Sequence, residues 1–351
     1  MTDRLSAARA LLAAGRRDAA IAELEAAVAE GPQGIAVWRM LTVQLYNAGR
    51  FEAVEKRAAE GLAQHPGDYE ISNTRGVALR RLKRLPEAAA VLEAATAIQP
   101  RTTAAWLNLG NVLMDMGEAR RAEAVYAELA RLEPQAPAHP WRRGRTLWRQ
   151  QRFAAAADAL REALALDADH VDAWSDLAAV LLADQKPAEA LAALEDAIRR
   201  RPAERRLLEE KAVLLRRTGR AVQAAGFLEA VETIDPNAAW IRYQRGLLYG
   251  DRNRAAANAE LEAAHAGAPG NVDYAMALCE GLARDRSETE GQSLDRAYRL
   301  ALDLAAQKPE PGNKILSEVL GRACDFEAVE RLGSFAEMGR SFAGSGRHAG
   351  L

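Results

Sequence analysis

Proline stands at positions 32, 66, 100, 134, 202, 236 and 269. The spacing is 34 residues, with one place skipped at Ala168 and the last interval one residue short. A single globular core has no reason to repeat its helix-stopping residue at such a period. A stack of like helix–turn–helix units does, because each must end at the same point before the next begins. The chain is therefore expected to be a solenoid. Its function is expected on a surface that stacking creates and not in a catalytic pocket.

With proline set at position 32 of each unit, the other positions fall into register. Position 8 is small: Gly76, Gly110, Gly144 and Gly246, with Ala8, Ala178 and Ala212 elsewhere. Position 20 is alanine at 20, 88, 122, 156, 190 and 224, and position 24 is large and apolar, as in Leu24, Leu92, Tyr126, Leu160, Leu194 and Leu228. Two helices approach closely where small residues face one another, so positions 8 and 20 are expected to form that contact. Trp38, Trp106 and Trp174 at position 4 are expected to act as apolar wedges between neighbours. Gly15, Gly49, Gly117 and Gly219 fall at the turn between the two helices, where a left-handed residue ends the first one.

This pattern resembles the tetratricopeptide repeat (TPR) family over roughly residues 1–309, most fully in Trp106, Leu109, Gly110, Leu113, Gly117, Ala122, Tyr126 and Pro134. The resemblance implies an all-α, right-handed superhelical solenoid of about nine repeats, starting near 1, 35, 69, 103, 137, 171, 205, 239 and 271. A C-terminal helical extension over 310–351 is expected to follow. The eighth unit keeps Gly246 and Tyr249 but runs one residue short. In the ninth, Tyr274 opens the first helix, Arg284–Gln292 lengthens the turn, and Ala297 and Pro309 mark the second helix.

Composition narrows the function. The net charge of −2 argues against a general nucleic-acid or membrane role. Two cysteines, Cys279 and Cys324, cannot build a disulfide framework, which fits a reducing compartment. The opening MTDRLSAARALLAAGRR is charged at helical intervals, as a first repeat is and a signal peptide is not. No apolar run reaches membrane-spanning length. A cytoplasmic protein is expected.

In repeats of this family the first helices line the inner, concave face, and positions 2, 5, 9, 12 and 13 point into the groove. Candidate partner-binding residues on these and neighbouring positions are Asn73, Arg80, Arg81, Asn108, Asn111, Trp141, Arg145, Trp148, Arg149, Arg216, Arg217, Trp240 and Tyr243. Tryptophan, tyrosine and arginine dominate binding hot spots, and arginine and asparagine can bond a bound chain's carbonyls or carboxylates. Trp141 and Trp240 could equally be displaced position-4 wedges, since Pro140 and Arg242 occupy that place in their units. The arginine pairs could also be solvated helix surface. The expected ligand is a protein or peptide. A chaperone-type carboxylate clamp is not expected, because the chain has only six lysines and none suitably placed. Nor is a continuous asparagine ladder, since only Asn108 stands at position 6, with Gln244 as a distant echo.

Some clusters imitate chemistry. Asp167, Asp169, His170 and Asp172 look like a metal loop but fall where a helix start needs a cap. Gly344-Ser345-Gly346 imitates a dinucleotide loop, yet no strand precedes it. No catalytic, cofactor or metal site is assigned to this chain.

At the C-terminal end, Ile315–Cys324 and Phe326–Met338 read as another helix pair, with Ala328 and Leu332 in packing places, and Arg340–Leu351 begins a further unit. An uncapped last repeat would leave an apolar face open to self-association. The stretch Leu320-Gly321-Arg322-Ala323-Cys324-Asp325-Phe326 is similar to the junction after the repeats in bacterial SPINDLY-type, O-GlcNAc-transferase-like enzymes, with Phe326 where tryptophan is more usual. That resemblance implies the acceptor-recognition arm of a protein O-glycosyltransferase, with flagellin as one kind of acceptor. The alternative is a stand-alone scaffold or assembly adaptor.

Overall fold

The chain reverses at the same place in each of the first seven repeats, and the backbone hydrogen bonds say how. The N–H of position 16 donates to the carbonyl of the leucine at position 11: Arg16 to Leu11 at 2.8 Å, Arg50 to Leu45 at 3.0 Å, Arg84 to Leu79 at 3.0 Å and Glu118 to Leu113 at 2.9 Å. Arg152 to Leu147, Lys186 to Leu181 and Arg220 to Leu215 continue the series. Such a bond needs a left-handed residue at position 15. Glycine fills it at Gly15, Gly49, Gly117 and Gly219, as expected. Lys83, Gln151 and Gln185 fill it elsewhere, at φ 61°, 58° and 58°, with no glycine to announce them.

The computed structural model describes residues 2–285, 290–306, 314–323 and 325, and all regular structure among them is helical. In chain order the helices are α1 (Thr2–Ala13), α2 (Arg17–Ala29), α3 (Ile35–Asn47), α4 (Phe51–Gln64), α5 (Tyr69–Arg81), α6 (Leu85–Ile98), α7 (Thr103–Asp115), α8 (Ala119–Leu132), α9 (Ala138–Arg149) and α10 (Phe153–Leu166). There follow α11 (Val171–Ala183), α12 (Pro187–Arg200), α13 (Arg205–Arg217), α14 (Ala221–Glu232), α15 (Ala239–Tyr249), α16 (Arg254–Gly267), α17 (Val272–Ala283), α18 (Glu290–Ala306) and α19 (Lys314–Arg322). Residues Met1–Ala193 and Leu194–Leu351 form two compact units, the boundary falling inside α12.

From α1 to α10, each odd-numbered first helix pairs with the even-numbered second helix after it, and each pair packs on the next. The close contact within a pair differs from the expected one. A Cβ built on Gly76, Gly110 or Gly144 would lie 2.4–2.8 Å from the side chain of Leu92, Tyr126 or Leu160. Position 8 is thus small to make room for the large residue at position 24. The alanine at position 20 contributes its backbone, with the Ala156 carbonyl 3.2 Å from the Gly144 site. The tryptophans at position 4 also do more than fill space. Trp106 and Trp174 donate their indole N–H to the carbonyls of Pro100 and Ala168, the position-32 residues before them, at 2.9 and 2.8 Å. Ala168 therefore serves where proline is skipped. At the chain start Arg4 pairs with Glu23 and Glu30, replacing the wedge by a polar contact.

In the second unit the short eighth repeat absorbs its deletion at the turn. Helix α15 ends early, Gly250 takes φ 48°, a 3₁₀ turn covers Gly250–Asn253, and the Asn253 side chain caps α16. Tyr249, expected in the packing register, is consequently 39% exposed. Gly246 keeps its role against Leu261. Helix α18 begins at Glu290, inside the stretch expected to be turn, and packs with α16, α17 and α19 around Leu278, Cys279, Ala297, Leu304 and Leu320. Burial pushes the Cys279 thiol up to about 12, so it is a packing group and not a nucleophile. Cys324, the expected helix Phe326–Met338 with Ala328 and Leu332, and the segment Arg340–Leu351 lie outside the described residues.

Candidate partner-binding face

From α3 to α11 one polar link after another crosses from each first helix to the next. Arg39 on α3 reaches Asp68 at 2.6 Å, and Asp68 in turn caps α5 by accepting the Ile71 N–H at 2.9 Å. Asn108 on α7 donates to Asn73 on α5 at 2.9 Å, and Arg80 pairs with Asp115 at 2.7 Å. Arg149 on α9 donates to the Met114 carbonyl of α7 at 3.0 Å. The Trp141 indole of α9 donates to Asp176 of α11 at 2.7 Å, with the Arg145 guanidinium 3.7 Å from the same carboxylate. Four of these links join residues 35 apart, one repeat plus one residue. Pairs of complementary residues at that separation are the sequence signal that finds them.

Trp141 is the centre of the richest cluster. Arg145 lies 5.1 Å from its ring centroid, Arg142 lies 5.7 Å away, and the His170 ring is tilted against it at 5.2 Å. His170 also caps α11, its Nδ1 accepting the Ala173 N–H at 3.3 Å. Asp167 accepts the Asp169 N–H, as a turn residue does. The aspartate–histidine cluster at this junction is thus occupied with helix starting. Trp141 is not a displaced wedge: it is half-buried, and its N–H is held by the neighbouring first helix. Trp148 is also half-buried on α9, while Arg81 and Arg149 are exposed.

A hydroxyl marks the middle of this face. Tyr126 of α8 passes the gap left by Gly110 and donates to Asn111 at 3.1 Å. Burial raises its pKa, while the guanidinium groups of Arg142, Arg80 and Arg145 oppose the rise and Asp115 adds to it. The Asn73–Asn108 bond leaves one whole amide NH2 group and one amide oxygen uncommitted, whichever way the pair is flipped. Asn111, accepting from Tyr126, keeps its amide N–H as a further donor.

The candidates in the second unit form a separate group. Trp240 is 3% exposed and packs with Leu208, Ala212, Leu228, Ile241 and Tyr274, so its place is the core and not a binding face. With Arg242 at position 4, the tryptophan has taken over the wedge role from position 2. Tyr243 is half-buried and stacks on Tyr274 at 4.6 Å. Arg217 is exposed, and Arg216 is half-buried with its Nε enclosed and no acceptor beside it among the described residues. Asp115, Tyr126, Arg142 and Asp176 were absent from the expected binding set and belong to the first-unit face. No helix among the described residues is long and apolar enough to cross a membrane.

Two sequence profiles described as "Tetratricopeptide repeat" match the chain, one over residues 107–171, 142–204 and 175–239 and one over 11–75. Together they span more than half of it. Protein FlbA of Caulobacter vibrioides is 39% identical over 69 residues, which are 20% of this chain and 12% of FlbA's length. Among solved structures, a tetratricopeptide repeat protein from Parabacteroides merdae is 18% identical with a TM-score of 0.48, covering 70% of this chain and 97% of that one. YrrB, described as a TPR protein with an unusual peptide-binding site, is 23% identical with a TM-score of 0.39, covering 53% of this chain and 96% of its own.

Proposed function

The chain belongs to the tetratricopeptide-repeat family over residues 11–75 and 107–239, and from that premise we propose that it is a protein-interaction module whose first-helix face on α5, α7 and α9 holds a segment of a partner polypeptide. One observation carries this reading. Asn73, Asn108 and Asn111 are fixed by bonds to one another and to Tyr126, yet keep free amide donors and an acceptor. An extended peptide offers carbonyls and N–H groups in alternation, which such a row matches without needing a particular sequence. Preorganisation matters here. Side chains already fixed lose little further entropy when they bind.

Trp148 and Arg149 supply the expected side-chain anchors beside this row. Peptides selected from a random library against the whole chain are expected to bind the double variant Trp148→Ala, Arg149→Ala at least about tenfold more weakly in a calorimetric titration. Circular dichroism checks that the helices are intact. Unchanged affinity would remove this face from the binding function.

The narrower acceptor-arm reading rests on Leu320–Phe326. Of that stretch, the Asp325 N–H donates to the Leu320 carbonyl at 3.0 Å, the same bond that closes the inter-helix turns of the array. The Asp325 carboxylate accepts the Tyr298 hydroxyl at 2.8 Å. These contacts serve the repeat stack itself, and transfer of sugar to a bound acceptor by the intact protein is the result that would support the narrower reading.

A further inference from the structure

We infer that the partner segment is acidic, with a carboxylate seated above the Tyr126 hydroxyl between Arg80, Arg142 and Arg145. The inference rests on the binding reading above and adds the chemistry of the partner.

Charge on the face decides it. Arg80, Arg81, Arg142, Arg145 and Arg149 lie along α5 and α9, against Glu70 on α5, Asp115 on α7 and Asp172 and Asp176 on α11, of which Glu70 is paired with Arg39 at 3.3 Å. Two of the five arginines engage those carboxylates, Arg80 at 2.7 Å and Arg145 at 3.7 Å. The other three do not. Arg149 donates to the Met114 carbonyl, Arg142 donates to the Ala138 carbonyl and lies against the Trp141 ring, and Arg81 is exposed with no carboxylate beside it among the described residues. Carbonyls and an indole orient a guanidinium but leave its charge unbalanced.

The geometry selects where that charge is felt. Arg80 on α5 and Arg142 and Arg145 on α9 stand on the two helices bonded to α7, whose Asn111 holds the Tyr126 hydroxyl. The Arg145–Asp176 contact is long, and Arg145 is half-exposed, so a ligand carboxylate can share it. The Asn111 amide N–H stands beside the same hydroxyl as an uncharged donor. A carboxylate placed there would gain guanidinium and amide donors together, which a neutral side chain cannot use. A folded duplex or single-stranded nucleic acid fits less well. The face offers a few arginines beside fixed asparagine amides, and the chain as a whole carries a net charge of −2.

The test compares two synthetic peptides, acetylated and amidated so that neither has a charged end. One repeats the triplet leucine–glutamate–serine, and the other has glutamine for every glutamate. Fluorescence anisotropy with the whole chain is expected to show the glutamate peptide binding at least about tenfold tighter, with affinity falling as salt rises. Arg142→Gln and the exposed Arg81→Gln should each lower that affinity about threefold or more and leave the glutamine peptide unaffected. Arg81→Gln keeps the test informative if Arg142→Gln disturbs the fold. Equal binding of the two peptides overturns the acidic partner but leaves a peptide-binding face. Binding of neither overturns both readings. Tighter binding of a labelled oligothymidine than of the glutamate peptide would overturn the protein partner in favour of nucleic acid.

Discussion

Gly144→Val is expected to destabilise the first unit by about 3 kcal/mol. The added Cβ would stand 2.8 Å from the Leu160 Cγ and 3.2 Å from the Ala156 carbonyl oxygen. The leucine is fully buried, and the carbonyl belongs to the backbone of α10, so neither can give way without moving a helix. Helix propensity alone would favour valine over glycine slightly, which makes the sign of the result a test of packing. Gly226 in α14 provides the contrast, since a Cβ there meets nothing within 4 Å. Gly226→Ala should stabilise by roughly 1 kcal/mol through helix propensity. Urea unfolding followed by far-UV circular dichroism reads both. A neutral Gly144→Val would mean that the pairs are packed loosely.

The second large effect runs the other way. Lys83→Gly, Gln151→Gly and Gln185→Gly together are expected to stabilise the chain by about 2 kcal/mol. Each of these residues holds a positive φ at the inter-helix turn, a conformation that is unfavourable by roughly 1–2 kcal/mol for a residue with a Cβ. Glycine removes that strain but adds unfolded-state entropy, so the net gain at each site is less than 1 kcal/mol or so. The turn bonds themselves are unchanged, because they need only the backbone. Nearest-neighbour coupling in a stacked array should let three gains at separate turns add. The converse is Gly117→Ala, which places a Cβ at φ 78° and should lower stability by about 1 kcal/mol. A triple variant no more stable than the parent would show that the three turns carry no strain.

Those turns show how far the sequence could be read. The period came from proline and the turn from glycine, and both are backbone requirements that few other residues meet. Lys83, Gln151 and Gln185 were invisible because their conformation is imposed by the Leu79, Leu147 and Leu181 carbonyls and not by their own preference. The pairing of positions 8 and 24 was misplaced for a related reason. A small residue announces a close approach but not what approaches it, and at Gly110 the occupant is the large ring of Tyr126. Trp240 left two readings open because a groove position and a wedge position differ by about half a turn of helix, and with Arg242 in the second its burial fits the wedge. The face itself was legible as a set of residue types. Its cross-links were not, since they join residues 35 apart while the repeat is 34 long, an offset of one that comes from how successive first helices are staggered.

In the proposed function the partner lies on the first helices of the first unit. A photo-reactive phenylalanine in place of Arg81 on α5 tests this directly, with Arg131 on the second helix α8 as the control position, both side chains being exposed. Irradiation with a selected peptide, or with the cell extract of the source, is expected to give cross-linked polypeptide at 81 and none at 131. Cross-linking at 131 with none at 81 would place the partner on the second helices and overturn the proposal.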